Sequence, residues 1–332
     1  MSAEKIIADL KRKNFKPVYW LEGEEPYFID EVVAYAEHKI LTESESSFNL
    51  TVFYGKDANW ADVINACRRY PMFAERQVVL LKEAQHMKEI EKLESYVDNP
   101  LSSTIFVVSY KDKKVDGRGK LSKTLKQKGE LLSTKKLYDN QLPDWANHMI
   151  EHHGLSINQK ALLLLVDHVG NDLSRLQNEI EKLAINLGNR KVITEDDIEK
   201  YIGVSKEYNV FELQDALAKK NLPKAIRIVH YFEQNPKAAP IQLILPALYN
   251  FFSKTYMVFG VPSNNEKEVA AALAINPYFI KDYLQCAKNY GQQGIERILL
   301  LLHHYNLRSV GINNGSADDA GLMKELVVKM MC

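Results

Sequence analysis

The stretch after the first predicted strand, Glu22 to Phe28, is where a nucleotide-binding chain would carry its phosphate loop. A working loop has the form G-x-x-x-x-G-K-[ST], in which the lysine reaches the terminal phosphates and the hydroxyl binds magnesium. Here Gly23, Glu24, Glu25 and Pro26 supply one glycine, no lysine and no hydroxyl. Each glutamate would repel a triphosphate by about 4 kcal/mol at ~4 Å and an effective dielectric of about 20, and Pro26 lacks a backbone donor. We expect no bound nucleotide, and the two acids suit a helix N-terminus instead.

No other position offers a complete set of catalytic or metal-ligating residues. Glu83 follows the third predicted strand, where an acid could bind magnesium, but it has no acidic neighbour, so a solvated side chain is the favoured interpretation. His148 and His152 have the i, i+4 spacing of a metal-binding pair, yet no third ligand accompanies them. The three cysteines are isolated and form neither a disulfide framework nor a zinc motif. The sequence therefore predicts no catalytic residue, no metal and no cofactor.

Two large apolar residues, Met72 and Phe73, fall on a short connector between a predicted helix and a predicted strand. The helix, Trp60 to Arg69, repeats apolar residues at the spacing of a core-facing stripe. Pro71 ends it and favours an extended Tyr70, which predicts a turn at Met72 and Phe73. One interpretation is a hydrophobic cap folded onto its own domain; the other is a wedge that docks in a partner's pocket. Burial of the pair would contribute roughly 3 to 6 kcal/mol gross, whereas a micromolar complex needs about 8 kcal/mol.

A cluster of basic residues lies between positions 111 and 128, with only two acids among them. The candidates for contact with a nucleic acid are Lys113, Lys114, Arg118 and Lys120. A charge run of this kind is usually a solvated face, but it could also follow a phosphate backbone. Both interpretations stay open from the residues alone.

Residues 1 to 139 alternate between strand and helix patterns. Continuous apolar strands separated by helices are typical of a parallel sheet covered on both faces, so we predict an α/β domain of the nucleotide-binding type. The predicted strands are Val18 to Leu21, Phe48 to Tyr54, Val78 to Leu81, Thr104 to Ser109 and Leu131 to Leu137. The predicted helices are Tyr27 to Leu41, Trp60 to Arg69, His86 to Val97 and Lys120 to Lys128.

Downstream of this domain the chain has helical patterns only. We predict a small helical domain at residues 140–206 and an all-helical domain at residues 207–332, the latter with stripes broad enough to pack on neighbouring subunits. Lys and Arg number 43, as do Asp and Glu, so the net charge implies no general attraction to nucleic acid or membrane. The N-terminus lacks a signal-peptide pattern and no apolar run could span a bilayer. We therefore expect a cytoplasmic protein without membrane contact.

Four stretches resemble the delta subunit of bacterial DNA polymerase III, a family of clamp-loader subunits. They are Pro17 to Phe28, Pro71 to Leu81, Gly170 to Leu183, and Leu307 to Ser309. None is a catalytic signature, and the resemblance rests on their combination and order over all three predicted domains.

The resemblance implies an AAA+ (RecA-like) module without ATPase activity at residues 1–139, a small helical lid at 140–206 and a helical collar at 207–332. It further implies that the collar assembles with the ATPase gamma/tau and delta-prime subunits. The tip formed by Met72 and Phe73, with Pro71 and Tyr70 beside it, would bind the sliding clamp (beta subunit) and favour its open ring. The whole complex would act on primer-template DNA.

Within that family the two tip residues are commonly Leu-Phe, so Met72 is a departure of similar volume. The family also tolerates loss of the phosphate loop, in agreement with the sequence around Gly23. The chain would then carry out no covalent chemistry, although the DNA polymerase III holoenzyme it serves is a DNA-directed DNA polymerase, a nucleotidyltransferase. Two alternatives stay open: a divergent AAA+ ATPase, and a stand-alone DNA-binding protein.

Overall fold

The computed structural model describes residues 2–205, 207–236, 240–263, 265–275, 277–314 and 318–332. The chain forms two units, Met1–Leu137 and Tyr138–Cys332. The predicted further division of the second unit near residue 206 stays a prediction.

The first unit is built on a five-stranded sheet in which every pair of neighbouring strands is parallel. The strands are β1 (Val18–Gly23), β2 (Leu50–Tyr54), β3 (Gln77–Lys82), β4 (Thr104–Lys111) and β5 (Glu130–Thr134). Their order is β2-β3-β4-β1-β5. The predicted parallel α/β domain is therefore confirmed.

Helices cover both faces of this sheet. They are α1 (Ala3–Lys11), α2 (Pro26–Lys39), α3 (Glu43–Asn49), α4 (Trp60–Cys67), α5 (Glu94–Val97) and α6 (Lys120–Lys128). Successive side chains of a strand point to opposite faces, and β1 shows the result. Val18 and Trp20 pack with α4, α5 and α6, whereas Tyr19 and Leu21 pack with α1 and α2. Two apolar cores hold the sheet from either side.

Three predicted elements of this unit differ from the structure. Phe48 and Asn49 belong to the helix α3 and not to the strand that begins at Leu50. The helix predicted over His86 to Val97 consists of two 3₁₀ turns, Ala84–His86 and Ile90–Leu93, and the single turn of α5. The strand predicted from Leu131 to Leu137 ends at Thr134.

The second unit begins with the helices α7 (Leu142–His152), α8 (Gln159–Val169), α9 (Leu173–Leu187) and α10 (Glu195–Ile202). Two short parallel strands, β6 (Ser156–Ile157) and β7 (Val192–Ile193), join the loops between them. The prediction of helices alone was wrong here, because two-residue strands have no periodicity that a sequence can reveal.

The remaining helices are α11 (Val210–Ala218), α12 (Leu222–Gln234), α13 (Ile241–Met257), α14 (Glu266–Ala272), α15 (Ile280–Ser309) and α16 (Asp319–Met331). All of them except α14 contribute to one apolar core. The helix α15 is kinked at Gly291, whose φ of 64° is non-helical. Within the described residues, no helix combines the length and the apolar character that crossing a bilayer requires.

A capping box at the start of α10 gives the second unit a pH-dependent contribution to stability. The carboxylate of Asp197 accepts hydrogen bonds from Arg190 Nη2 (2.6 Å), from the backbone N–H of Thr194 (3.0 Å) and from its hydroxyl (2.9 Å). Burial raises the pKa of Asp197, but the bonds from Arg190 and Thr194 outweigh it and hold the pKa below its ordinary value. The stabilisation is therefore present above about pH 4 and is lost as the pH falls through the lowered pKa.

We expect Asp197→Asn to lower the free energy of unfolding by about 1 to 2 kcal/mol at pH 7, because it removes a charged acceptor of several hydrogen bonds. Urea unfolding at pH 7 and pH 3 measures the effect, which should shrink at the lower pH. Asp144→Asn, at an exposed position in the first turn of α7, is the control and should change stability only slightly. An equal loss for the two variants at pH 7 would contradict the assignment.

Candidate functional site

The connector between α4 and β3 exposes its apolar side chains to solvent. We call residues 70–75 the tip. Phe73 is 95% exposed, Tyr70 79% and Met72 54%. The turn predicted at Met72 and Phe73 is confirmed. The alternative of a hydrophobic cap folded onto its own domain is wrong, because almost none of the Phe73 side chain is covered.

The backbone of the tip is fixed at Met72 by a side chain from α3. The backbone N–H of Met72 donates to Asn49 Oδ1 (2.7 Å), and Asn49 Nδ2 donates to the Met72 carbonyl oxygen (2.9 Å). The next residue, Phe73, has a φ of +53°. A residue with a Cβ pays about 1 to 2 kcal/mol for this left-handed conformation. The turn is therefore held by hydrogen bonds from the Asn49 side chain to the Met72 backbone, and not by burial of its apolar side chains.

Both ends of the tip are anchored to the sheet. Gln77 Nε2 lies within hydrogen-bond distance of the carbonyl oxygens of Arg69 (2.6 Å) and Ala66 (3.1 Å) at the end of α4, and of Thr104 Oγ1 (2.8 Å). Arg76 Nη1 donates to the Ser102 carbonyl (2.8 Å). The tip thus projects from a base that is held by hydrogen bonds at both ends.

The loop after β1, residues 23–26, is packed against the end of β5. The backbone N–H of Glu24 donates to the Thr134 carbonyl (3.3 Å) and that of Glu25 to Thr134 Oγ1 (3.2 Å). Glu25 is buried, and its Oε1 accepts from the backbone N–H of Tyr27 (3.2 Å) as the N-cap of α2. Donors that a phosphate loop would direct at a ligand are therefore used within the protein. The predicted helix N-terminal position of Glu25 is confirmed.

A lysine occupies the carboxyl end of the sheet beside this loop. Lys111 Nζ lies 2.7 Å from Asp30 Oδ1 and 3.0 Å from Glu83 Oε1. Burial lowers the pKa of Lys111, but the bonds to Asp30 and Glu83 outweigh it and raise the pKa. Burial raises the pKa of Glu83, and the bonds from Lys111 and Gln85 bring it below its ordinary value. Glu83 is therefore an ion-pair partner rather than a solvated acid, and a protein cation stands beside the candidate magnesium ligand.

The basic cluster is partly neutralised by acids of its own unit. Lys120 Nζ pairs with Glu94 (3.0 Å) and Arg118 Nε with Asp116 (3.3 Å). The side chains of Lys113 and Lys114 are exposed. Among the residues that the structure describes, no three histidine, cysteine or acidic side chains gather as a metal site, and this holds for the surroundings of His148 and His152.

The tip and the loop after β1 (residues 23–26) lie at opposite ends of the sheet. The tip precedes β3, whereas the loop follows β1, and all neighbouring strands are parallel. The residue that sequence reasoning missed is Asn49, which was assigned to a strand. The pattern Thr42-x-x-Glu45 could have revealed its helix, since it forms a complete capping box at the start of α3.

Comparisons with known proteins agree over most of the chain. The family model described as DNA polymerase III, delta subunit, matches residues 19–135. The model described as DNA polymerase III delta subunit, C-terminal domain, matches residues 207–330. Together the two matches cover more than two thirds of the chain.

Individual proteins give the same result. The DNA polymerase III subunit delta of Bacillus subtilis is 25% identical over 337 residues, covering 98% of this chain and 96% of that protein. The probable subunit delta of Aquifex aeolicus is 26% identical, covering 64% of this chain and 62% of that one. The structure of the Bacillus subtilis DNA clamp loader delta protein shares the fold, with 24% identity, a TM-score of 0.57 and 99% of each chain covered. The chain belongs to the DNA polymerase III delta subunit family.

Proposed function

We propose that this chain is a clamp-loader subunit that binds the sliding clamp through Met72 and Phe73 and favours the open form of the ring. The observation that carries the proposal is the exposure of Phe73 on a turn held by hydrogen bonds between the Asn49 side chain and the Met72 backbone. A large apolar side chain presented in this way suits a pocket on a partner. We also infer a cytoplasmic location, from the family alone.

The energetics agree with a contact in which Met72 and Phe73 supply a large part, but not all, of the binding free energy. Burial of Met72 and Phe73 would contribute roughly 3 to 6 kcal/mol gross, and Tyr70 offers a further exposed ring beside them. Since a micromolar complex needs about 8 kcal/mol, the pair would dominate the contact without completing it. A tip with greater affinity for the open ring than for the closed ring would shift the ring population towards opening.

The proposal assigns no ATP hydrolysis to this chain. In its AAA+-like unit, the backbone N–H groups of the loop after β1 donate to Thr134 and Glu25. Lys111 forms ion pairs with Asp30 and Glu83 beside that loop. In the assembled loader, ATP bound by partner subunits would instead rearrange the complex so that the tip, which is exposed in this chain, can reach the clamp. A divergent ATPase is the competing view, and equilibrium binding of labelled ATP to the chain separates the two.

We propose that residues 140–206 form a lid domain and that residues 207–332 form a collar, which assembles with the gamma/tau and delta-prime subunits. Exposed apolar side chains on the collar helices support this role. They are Leu243 and Tyr249 on α13 and Leu300 on α15. Co-purification of the chain with its native partners tests the assembly.

The direct test is binding of the sliding clamp from the same organism. We expect a complex in the micromolar range or tighter that forms without ATP, measured by surface plasmon resonance. We also expect the chain to accelerate release of clamps from nicked circular DNA, because an open ring leaves the circle. No binding with or without ATP would refute the clamp assignment.

A contribution of the basic cluster to DNA binding has one specific observation in its favour. Four exposed lysines have no acidic partner among the described residues: Lys113, Lys114, Lys123 and Lys126. Four phosphate contacts predict a slope of about −3.6 for log affinity against log salt concentration. This is a site for primer-template DNA within the complex, rather than a stand-alone function.

We expect Lys113→Ala together with Lys114→Ala to make that slope shallower by about 2, because two phosphate contacts are lost. Fluorescence anisotropy across salt concentrations measures it. Lys5→Ala is the matched control and should change the slope little, since Lys5 is an exposed lysine of α1, outside the basic cluster. An unchanged slope for the double variant would place DNA contact elsewhere.

A further inference from the structure

Asn49, the last residue of α3, has every hydrogen of its amide engaged. The residue is 2% exposed. Its Oδ1 accepts from the Met72 N–H (2.7 Å), and its Nδ2 donates to the Met72 carbonyl (2.9 Å) and to the Glu45 carbonyl (3.0 Å). An asparagine amide has two donor hydrogens, and both are used. The bond to Glu45 fixes the side chain to its own helix, and the other two fix Met72.

The two bonds between Asn49 and Met72 hold the backbone within the tip, in addition to the bonds at its ends. Gln77 and Arg76 anchor its two ends, but within residues 70–75 the described contacts give a hydrogen-bond partner to Met72 alone. Phe73 keeps its left-handed backbone (φ +53°) although its ring is 95% exposed. A conformation of this kind persists only where the surrounding structure determines it. Here the constraint acts at the preceding residue, Met72, because Asn49 binds both its backbone N–H and its carbonyl oxygen.

We propose that Asn49 is a positioning residue that holds Met72 and Phe73 in the conformation in which they bind the clamp. The proposal rests on the function proposed above. A turn that is ordered before binding loses less conformational entropy when the complex forms, so the affinity is higher for the same contacts. Asn49 needs no contact with the clamp to have this effect.

The first test is local and needs no partner. In Asn49→Ala the Met72 N–H loses its acceptor, so we expect peptides spanning residues 70–76 to lose their one slowly exchanging amide. Hydrogen exchange measured by mass spectrometry detects the change. Thr134→Val is the matched control, because Thr134 is also a buried polar residue whose side chain binds a backbone N–H, that of Glu25. Thr134 lies on β5, the edge strand farthest from β2. Exchange in residues 70–76 should stay unchanged in that variant.

The second test measures clamp binding in a double-mutant cycle. We expect Asn49→Ala to weaken binding about 10-fold, or about 1.4 kcal/mol, and Thr134→Val to leave it unchanged. In a background that carries both Met72→Ala and Phe73→Ala, the same change at Asn49 should weaken binding less than about 2-fold, since neither tip side chain is left to position. Asn49→Asp keeps the size of the side chain and removes its donors, so it should weaken binding even if the alanine variant fails to fold.

Each other outcome overturns the proposal. Unchanged clamp affinity in a folded Asn49 variant, or retained exchange protection at Met72, would show that the tip is held without Asn49. An equal loss with and without the side chains of Met72 and Phe73 would show a general effect on the fold. Failure of the wild-type chain to bind the clamp is a separate result, because it refutes the proposed function before any variant is compared.

Discussion

Replacement of both Met72 and Phe73 by alanine is expected to weaken clamp binding by at least about 100-fold without loss of stability. The two side chains are half exposed and almost fully exposed, so their truncation leaves no cavity in the free protein. In the complex, burial of the two side chains would contribute roughly 3 to 6 kcal/mol. A 100-fold loss of affinity corresponds to about 2.7 kcal/mol, which lies below that contribution. Surface plasmon resonance with immobilised clamp measures the loss, and thermal unfolding checks the fold.

Tyr54→Ala is the matched control for that variant. Tyr54 is an exposed aromatic residue (52%) at the end of β2, at the opposite end of the strands from the tip. We expect wild-type affinity for this variant. If the Met72 and Phe73 variant retained clamp at wild-type affinity in a pull-down, the tip would not be the binding element, whatever its exposure.

Gly23→Ala should cost about 3 kcal/mol of stability, the largest effect we expect of a single methyl group in the first unit. Gly23 has a φ of +129°, and a Cβ at this position would overlap the carbonyl oxygen of Thr134. The left-handed backbone contributes about 1 to 2 kcal/mol of this and the overlap about 1 to 3 kcal/mol. Urea unfolding measures the loss. The glycine would then be needed for the close approach of β1 to β5.

Gly154→Ala separates the two terms. Gly154 also has a positive φ (+68°), but nothing lies within 4 Å of the position its Cβ would take. We expect a loss of about 1 kcal/mol there, from the backbone alone. Equal losses at Gly23 and Gly154 would mean that the contact with Thr134 is not tight.

The sequence was sufficient for the parallel α/β domain because its central strands are continuous apolar runs. Val78 to Leu81 and Thr104 to Ser109 are buried on both faces and could be recognised without tertiary information. The strand order could not be predicted, since it depends on contacts between distant segments. Phe48 was placed in a strand because apolar residues alternate from there to Tyr54, and that local period outweighed the capping box at Thr42.

The candidate site was only partly predictable. Pro71 was enough to place Met72 and Phe73 on a turn, but composition could not decide whether their side chains were covered. Exposure depends on what packs above the turn, and the structure shows almost nothing there for Phe73. The contact of Asn49 with Met72 joins residues 23 positions apart, and no local pattern encodes it. The clamp as partner rests on the family resemblance and stays a prediction.

The backbone at Phe73 also limits which amino acids evolution or engineering could install there. At a φ of +53°, valine, isoleucine and threonine are excluded by their branched Cβ, however well they might fill a receptor cavity. Unbranched or aromatic side chains remain acceptable. Asparagine would suit the positive φ but would remove the apolar surface. A residue at this position must therefore both tolerate a positive φ and present an apolar side chain. A scale of hydrophobicity alone would not predict which substitutions retain binding.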